Sequence, residues 1–99
     1  MELQQLRYFK ALAETGNLTR TADRLHITPP TLSNSISRLE DELGAKLFDR
    51  VRGRLYLNEM GKAFLESSST ILNVLDTSCS NVRNMSLLGK KTLSVATAV

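Results

Sequence analysis

A mainly α domain carrying a small β-hairpin and running on into one long helix is the fold class this sequence of 99 residues predicts. Three observations carry that reading. Asn17 to Gly44, NLTRTADRLHITPPTLSNSISRLEDELG, holds two helical patterns joined by a turn too short to let them lie side by side, so the second helix is pushed out from the body. Val51 to Asn58, VRGRLYLN, alternates across a glycine in the manner of a hairpin. From Leu57 to Met85, apolar and small residues recur in steps of four and three, a heptad seam about four repeats long.

The chain opens on an amphipathic helix. Leu3, Leu6, Phe9, Leu12 and Ala13 share one face, and Gln4, Arg7, Lys10 and Glu14 hold the wet side. Gly16 ends it. This helix is expected to pack Leu6 and Phe9 against Ala22, Leu25, Leu32 and Ile36, with Tyr8 at the rim of that core. Asn17 is an N-cap residue type, and Leu18, Ala22 and Leu25 follow at helical spacing. After the turn His26, Ile27 and Thr28, a residue before proline is disfavoured in the α region, so the next helix begins at about Pro30 with Thr28 as its cap. Leu32, Ile36, Leu39 and Leu43 lay an apolar stripe along it, and Gly44 stops it. The face turned away from the leucines carries Pro30, Thr31, Ser33, Asn34, Ser37 and Arg38, mostly small polar donors and acceptors.

Leu47 and Phe48 read as plugs beneath that helix. In the hairpin, Val51 and Arg52 form one strand, Gly53 takes the bend, and Arg54 to Leu57 form the other. Leu55 and Leu57 then make a dry face and Arg54 and Tyr56 a wet one. Lys46, Arg50, Arg52 and Arg54 face only Asp49 within nine residues, a concentrated positive field. Asn58 and Glu59 start the long helix. Its seam passes through Phe64, Ser68, Ile71, Leu75, Ser78 and Val82, with Leu65, Leu72 and Cys79 as a second stripe beside it. A core this small cannot bury both stripes, so Phe64, Ser68, Ile71, Leu72, Leu75, Cys79 and Val82 are assigned to a dimer interface with another copy. The alternative is a helix folded back on its own domain. From Leu88 the composition shifts: LGKK reads as a linker, and TLSVATAV as an apolar run of the kind found in buried parallel strands. The resulting boundaries are 1–58, 59–87 and 88–99.

Composition narrows the function classes. A formal net charge of +3 points only weakly to a polyanionic partner, and its clustering in the hairpin is the stronger signal. A single cysteine excludes an internal disulfide and suits a reducing compartment. No apolar run approaches the roughly 20 residues that span a bilayer, and cytoplasm is the expected location. His26 is the only histidine, with no nucleophile, paired carboxylate or metal-ligand spacing around it, and Glu40, Asp41 and Glu42 read as a solvated helix face. Enzymatic chemistry and a bound metal are therefore not expected. A protein-interaction module would explain the long helix but leaves the basic hairpin and the polar helix face without purpose.

Four segments in register, Leu3 to Phe9 (LQQLRYF), Ala22 to Leu25 (ADRL), Leu39 to Phe48 (LEDELGAKLF) and Arg50 to Gly61, resemble the N-terminal winged helix-turn-helix domain of the LysR-type transcriptional regulators. The resemblance implies a bacterial regulator that binds double-stranded DNA as a dimer on a roughly palindromic operator. It also implies a recognition helix in the major groove, a basic wing, and a linker helix that dimerises. It further implies an α/β effector-binding domain beginning in 88–99, a small-molecule effector held there and no cofactor in this chain, a possible tetramer in full length, and an indirect effect on RNA polymerase. On that basis Ser33, Asn34, Ser37 and Arg38 are the base-edge set, and Pro30 and Thr31 offer apolar contact to a thymine methyl. Arg50, Arg52 and Arg54, with the amide end of the helix near Thr31, are assigned to phosphate or the minor groove. Two positions depart from the common family pattern. Pro29–Pro30 stands where Gln–Pro is frequent, and Asn34 where Arg is frequent. Asn suits adenine and Arg suits guanine, so a site richer in A·T is expected at the bases read by the first turns.

Overall fold

The computed structural model describes residues 1–91, with side chains through Ser86. In chain order it holds α1 (Leu3–Thr15), α2 (Leu18–Arg24), α3 (Pro29–Leu43), the strands β1 (Phe48–Val51) and β2 (Arg54–Leu57), and α4 (Glu59–Lys91). This is the mainly helical domain with one hairpin and a long final helix that the sequence predicts. Each short helix has its own start and stop signal. Asn17 Oδ1 accepts the Arg20 amide at 2.9 Å, Thr28 caps α3, and Gly16 and Gly44 close α1 and α3 in the left-handed region. The turn between α2 and α3 is tightened by His26, an exposed non-glycine residue at φ 59°, and by the Ile27 amide donating to the Ala22 carbonyl.

The core is the one the leucine pattern drew except at its ends, where Leu3 of α1 and Leu43 of α3 are exposed. Phe9, Leu12, Ala22, Leu32, Ile36, Leu39 and Leu47 are buried together, with Leu25, Phe48, Leu55 and Phe64 packed around them. Full burial of a side chain of this size contributes about 1.5–3 kcal/mol, which makes α1 the scaffold that α2 and α3 close on. Phe9 is the hub: its ring meets Phe48 edge-on at 5.5 Å and Phe64 at 5.3 Å, so it ties the hairpin and α4 to the three helices. The buried hydroxyl of Thr21 donates to the Asn17 carbonyl and meets Thr15 Oγ1.

The two strands pair antiparallel with Phe48 opposite Leu57, Asp49 opposite Tyr56, Arg50 opposite Leu55 and Val51 opposite Arg54. Arg52 lies in the turn with Gly53, not on a strand, and the first strand begins three residues earlier than the sequence suggests, at Phe48. The hairpin is docked to the α1–α2 junction: the Leu55 amide donates to the Gly16 carbonyl at 3.0 Å, and a Cβ at Gly16 would sit 2.8 Å from the Leu55 oxygen. Side-chain absence at that residue is what lets the backbones meet.

The start of α4 is stapled by Asn58. Its Oδ1 accepts the Gly61 amide at 2.8 Å, its Nδ2 donates to the Lys46 carbonyl at 2.8 Å, and its own amide donates to the Leu47 carbonyl. From there α4 lies on α1, and this changes the reading of its seam. Ser68 and Leu72 are buried within the chain itself, and Phe64 packs into the core, so these three are corrected from interface to intramolecular packing. The physical reason is that α1 is long enough to lie along about the first five turns of α4, as far as the exposed Arg7–Asp76 ion pair. Beyond the first turn of α4, Ile71, Val74, Val82 and Met85 are the large apolar side chains left in solvent among the described residues, beside half-buried Leu75 and exposed Cys79. The helix also continues through Lys91, so the linker placed at Leu88 is helical up to that residue. The strand expected over 92–99 lies outside the described residues.

Candidate nucleic-acid interface

The side of α3 away from its leucines is uncovered. Pro30, Thr31, Ser33, Asn34, Ser37 and Arg38 are all exposed, while Leu32, Ile36 and Leu39 on the other side are buried. The exposed side stands as a ridge between two hollows. A groove of about 630 Å³ runs between α3 and the start of α1, with Thr31, Asn34 and Arg38 on one wall and Gln4 and Tyr8 on the other. A second hollow of about 400 Å³ separates α3 from the hairpin, and Ser33, Ser37 and Arg50 open into it. A helix raised between two troughs has the profile that fits a nucleic-acid major groove while its flanks meet the two backbones.

The amide end of α3 is not free. Pro29 and Pro30 carry no amide hydrogen, the Thr31 amide donates to Thr28 Oγ1 at 3.4 Å, and the Leu32 amide donates to the Thr28 carbonyl at 3.2 Å. The expectation that backbone amides near Thr31 hold phosphate is corrected accordingly: the double proline and the cap use up the donors. What remains there is the hydroxyl pair of Thr28 and Thr31, 2.7 Å apart and exposed.

The three arginines of the hairpin are exposed but not equivalent. Arg50 shares a face with Leu55 and Phe48, toward α3, whereas Arg54 shares the opposite face with Tyr56, whose ring its guanidinium overlies at 5.8 Å. Arg54 Nη2 also donates to the Thr15 carbonyl at 3.3 Å. Arg52 sits at the tip at φ 52°, a conformation that favours glycine or asparagine over arginine. The simple division of the hairpin into a dry leucine face and a wet arginine face therefore gives way to arginines on both faces and at the tip.

Sequence reasoning missed one residue that sets this geometry. Glu40, read as part of a solvated face, has a side chain only 11% exposed, with Oε2 accepting the Leu47 amide at 2.7 Å and Oε1 3.9 Å from Lys46 Nζ. It fastens the last turns of α3 to the entry of the hairpin and so fixes the angle between them. Its position one residue after Leu39, at the edge of the apolar stripe, was the available signal. Asp41 and Glu42 are exposed, as a solvated face requires. Among the described residues no group of three or more His, Cys, Asp or Glu converges on a metal position, and no helix is long and apolar enough to cross a membrane.

Known proteins share this arrangement. Residues 3–62 match the family model described as bacterial regulatory helix-turn-helix protein, lysR family. The HTH-type transcriptional regulator CatR of Pseudomonas putida is 55% identical over 74 residues, which cover 75% of this chain and 25% of that protein. The regulator ClcR, from the same species, is 44% identical over 78 residues, 79% of this chain and 26% of the relative, so the chain spans about a quarter of the length of both. Among solved structures, the DNA-binding domain of CbnR in complex with DNA superposes with a TM-score of 0.79 at 38% identity, covering 85% of this chain and 97% of that one. The DNA-binding domain of BenM on a catB site gives 0.83 at 35% identity, over 87% and 92% of the two chains. The uncovered helix face and its arginine hairpin are thus set in a fold that this chain shares with a defined group, and the chain belongs to the LysR family of bacterial regulatory helix-turn-helix proteins.

Proposed function

We propose that this chain is the sequence-specific DNA-binding domain of a LysR-type transcriptional regulator. Residues 1–58 form the winged helix-turn-helix, 59–91 the linker and dimerisation helix, and 92–99 lead toward an effector-binding domain. The observation that carries the reading is the row of exposed side chains Pro30, Thr31, Ser33, Asn34, Ser37 and Arg38 standing beside three exposed arginines. Ser33, Asn34, Ser37 and Arg38 read base edges from the major groove, Pro30 and Thr31 pack on thymine methyls, and Arg50, Arg52 and Arg54 meet phosphates or the minor groove. Titration with a nonspecific duplex at low and high salt tests it. Affinity is expected to fall linearly on logarithmic axes as salt rises, and a module that binds only protein would show no duplex binding at all.

Asn34 sets part of the preference. It is exposed on the ridge, with an amide group able to pair bidentately with adenine. Asn34→Arg is expected to move one position of each half-site from adenine to guanine, a discrimination of about 1–3 kcal/mol, in selection from randomised duplexes. An unchanged selected sequence would remove Asn34 from the base-reading set.

The DNA-bound species is a homodimer, and the operator is roughly two-fold symmetric as a result. The support is the solvent-facing apolar row of α4, in which Ile71, Val82 and Met85 are 46%, 65% and 61% exposed. Ile71, Leu75, Cys79 and Val82 remain the interface set once Phe64, Ser68 and Leu72 are assigned to the chain's own packing. Val82→Asp or Ile71→Asp is expected to give monomers in sedimentation with the fold intact, since neither side chain contributes to the core. A surviving dimer would place the contact elsewhere. The remaining parts of the proposal concern the longer regulator: a small-molecule effector bound outside these residues, assembly to a tetramer, action on transcription through RNA polymerase, and a cytoplasmic location.

A further inference from the structure

The other side of the hairpin holds a feature that the base-reading ridge does not use. Arg20 of α2, Arg52 at the hairpin tip and Arg54 of β2 line one cleft of about 320 Å³, whose remaining walls are Thr15, Gly16, Asn17 and Gly53. No carboxylate lines it. Three arginines on one cleft with no carboxylate among its walls make a positively charged hollow suited to an anion. Arg24, one turn along α2 from Arg20, points instead to Glu14, with 3.8 Å between the charged atoms. Among the described residues the Arg20 side chain takes part in no ion pair or hydrogen bond, while its backbone amide donates to Asn17 Oδ1. Arg54 is already held in place by the Thr15 carbonyl and the Tyr56 ring. Arg52 keeps a left-handed backbone at φ 52° where a turn residue such as asparagine would be relaxed, a cost that points to a use for its side chain.

We infer that Arg20, Arg52 and Arg54 form a docking notch for a backbone phosphate of duplex DNA, with Arg20 as a phosphate-binding residue contributed by the first helix of the helix-turn-helix. The inference rests on the DNA-binding reading and adds to it. The notch lies across the hairpin from the cleft that Arg50 shares with α3, so the hairpin is gripped by polyanion on both sides. A guanidinium suits this task because its planar fork meets two phosphate oxygens at once, and the Gly16 carbonyl, already taken by Leu55, does not compete.

Titration of a nonspecific duplex across a salt series tests the notch. Arg20→Gln is expected to lower affinity about five- to tenfold at low salt and to reduce the slope of log affinity against log salt by about 0.9, the value for one phosphate contact. The thermal midpoint and the sequence selected from random duplexes stay as they were. Arg20→Lys keeps the charge and is expected to restore the slope with only part of the affinity. Arg52→Asn relaxes the turn, so it is expected to raise the thermal midpoint while reducing the slope, an opposition that a merely structural arginine would not show. A slope unmoved by Arg20→Gln, in a protein whose duplex binding still responds to Arg52→Asn, overturns the notch and leaves DNA binding standing. Absence of duplex binding in the unsubstituted chain overturns both. A changed selected sequence with an unchanged slope also overturns it, by making Arg20 a base reader.

Discussion

Replacing Arg50, Arg52 and Arg54 together by glutamine is expected to flatten the salt dependence of duplex binding by up to about three phosphate equivalents and to weaken binding at low salt on the order of a hundredfold. All three side chains are exposed, yet Arg50 lies on one side of the hairpin and Arg52 and Arg54 line the cleft on the other. Arg50 points to the cleft beside Ser33 and Ser37, Arg52 extends from the tip, and Arg54 lies over Tyr56 against the Thr15 carbonyl. The single replacements are therefore expected to differ. Arg52→Gln lowers the slope with no structural cost. Arg54→Gln lowers it and also frees the carbonyl that steadies the hairpin against α1, so it loosens the dock as well. The register of the two strands survives, because it is set by backbone pairing and by Leu55 and Leu57 against the core. Equal slopes for the triple variant and the unsubstituted protein would remove the hairpin from the DNA contact altogether.

Gly61→Ala is the second large effect, and it acts on the fold. A Cβ built at Gly61 lies 2.1 Å from the Leu47 carbonyl oxygen and 2.8 Å from Leu57 Cδ2. The oxygen is backbone and already accepts the Asn58 amide, so it cannot swing aside. The start of α4 has to lift from the loop between α3 and β1, which strains the Asn58 staple and pulls Phe64 away from Phe9. A loss of about 3 kcal/mol is expected, at the upper end for overpacking, read as a lowered denaturation midpoint. Met60→Ala, one residue earlier and 60% exposed, is the control and should change stability by less than about 0.5 kcal/mol. An alanine at residue 61 that folds as stably as glycine would mean α4 is not seated on this loop.

The contrast between Gly61 and Leu32 shows what a sequence discloses. The buried stripe through Leu32, Ile36 and Leu39 follows helical periodicity, a local rule, and the polar face opposite it follows by elimination; both are as the pattern predicts. The caps at Asn17 and Thr28 and the stop at Gly44 are equally local. Gly61 falls on the heptad spacing as one of its small residues, and the oxygen that forbids a side chain there belongs to Leu47, in the loop between α3 and β1. The same holds for Phe64, Ser68 and Leu72. Their spacing fits a partner helix, and only the length and placement of α1 show that the partner is in the same chain. Glu40 and Arg20 escaped notice for a similar reason. The amide that Glu40 accepts is seven residues on, and the arginines that share a cleft with Arg20 come from the hairpin, brought in by the bond between Leu55 and Gly16. Arg52 belongs to the turn and not to the first strand because the bend takes two left-handed residues, Arg52 and Gly53, where the sequence leaves open whether it needs one or two.

Selection of bound duplexes from a random pool, using the unsubstituted chain, reaches the central claim most directly. Enrichment of a two-fold symmetric site, with adenine at the bases facing the first turns of the ridge and a fixed gap between halves, is the result expected. A pool that emerges unenriched, or one that yields a lone asymmetric sequence, would contradict the assignment of that exposed helix face to reading DNA as one half of a pair.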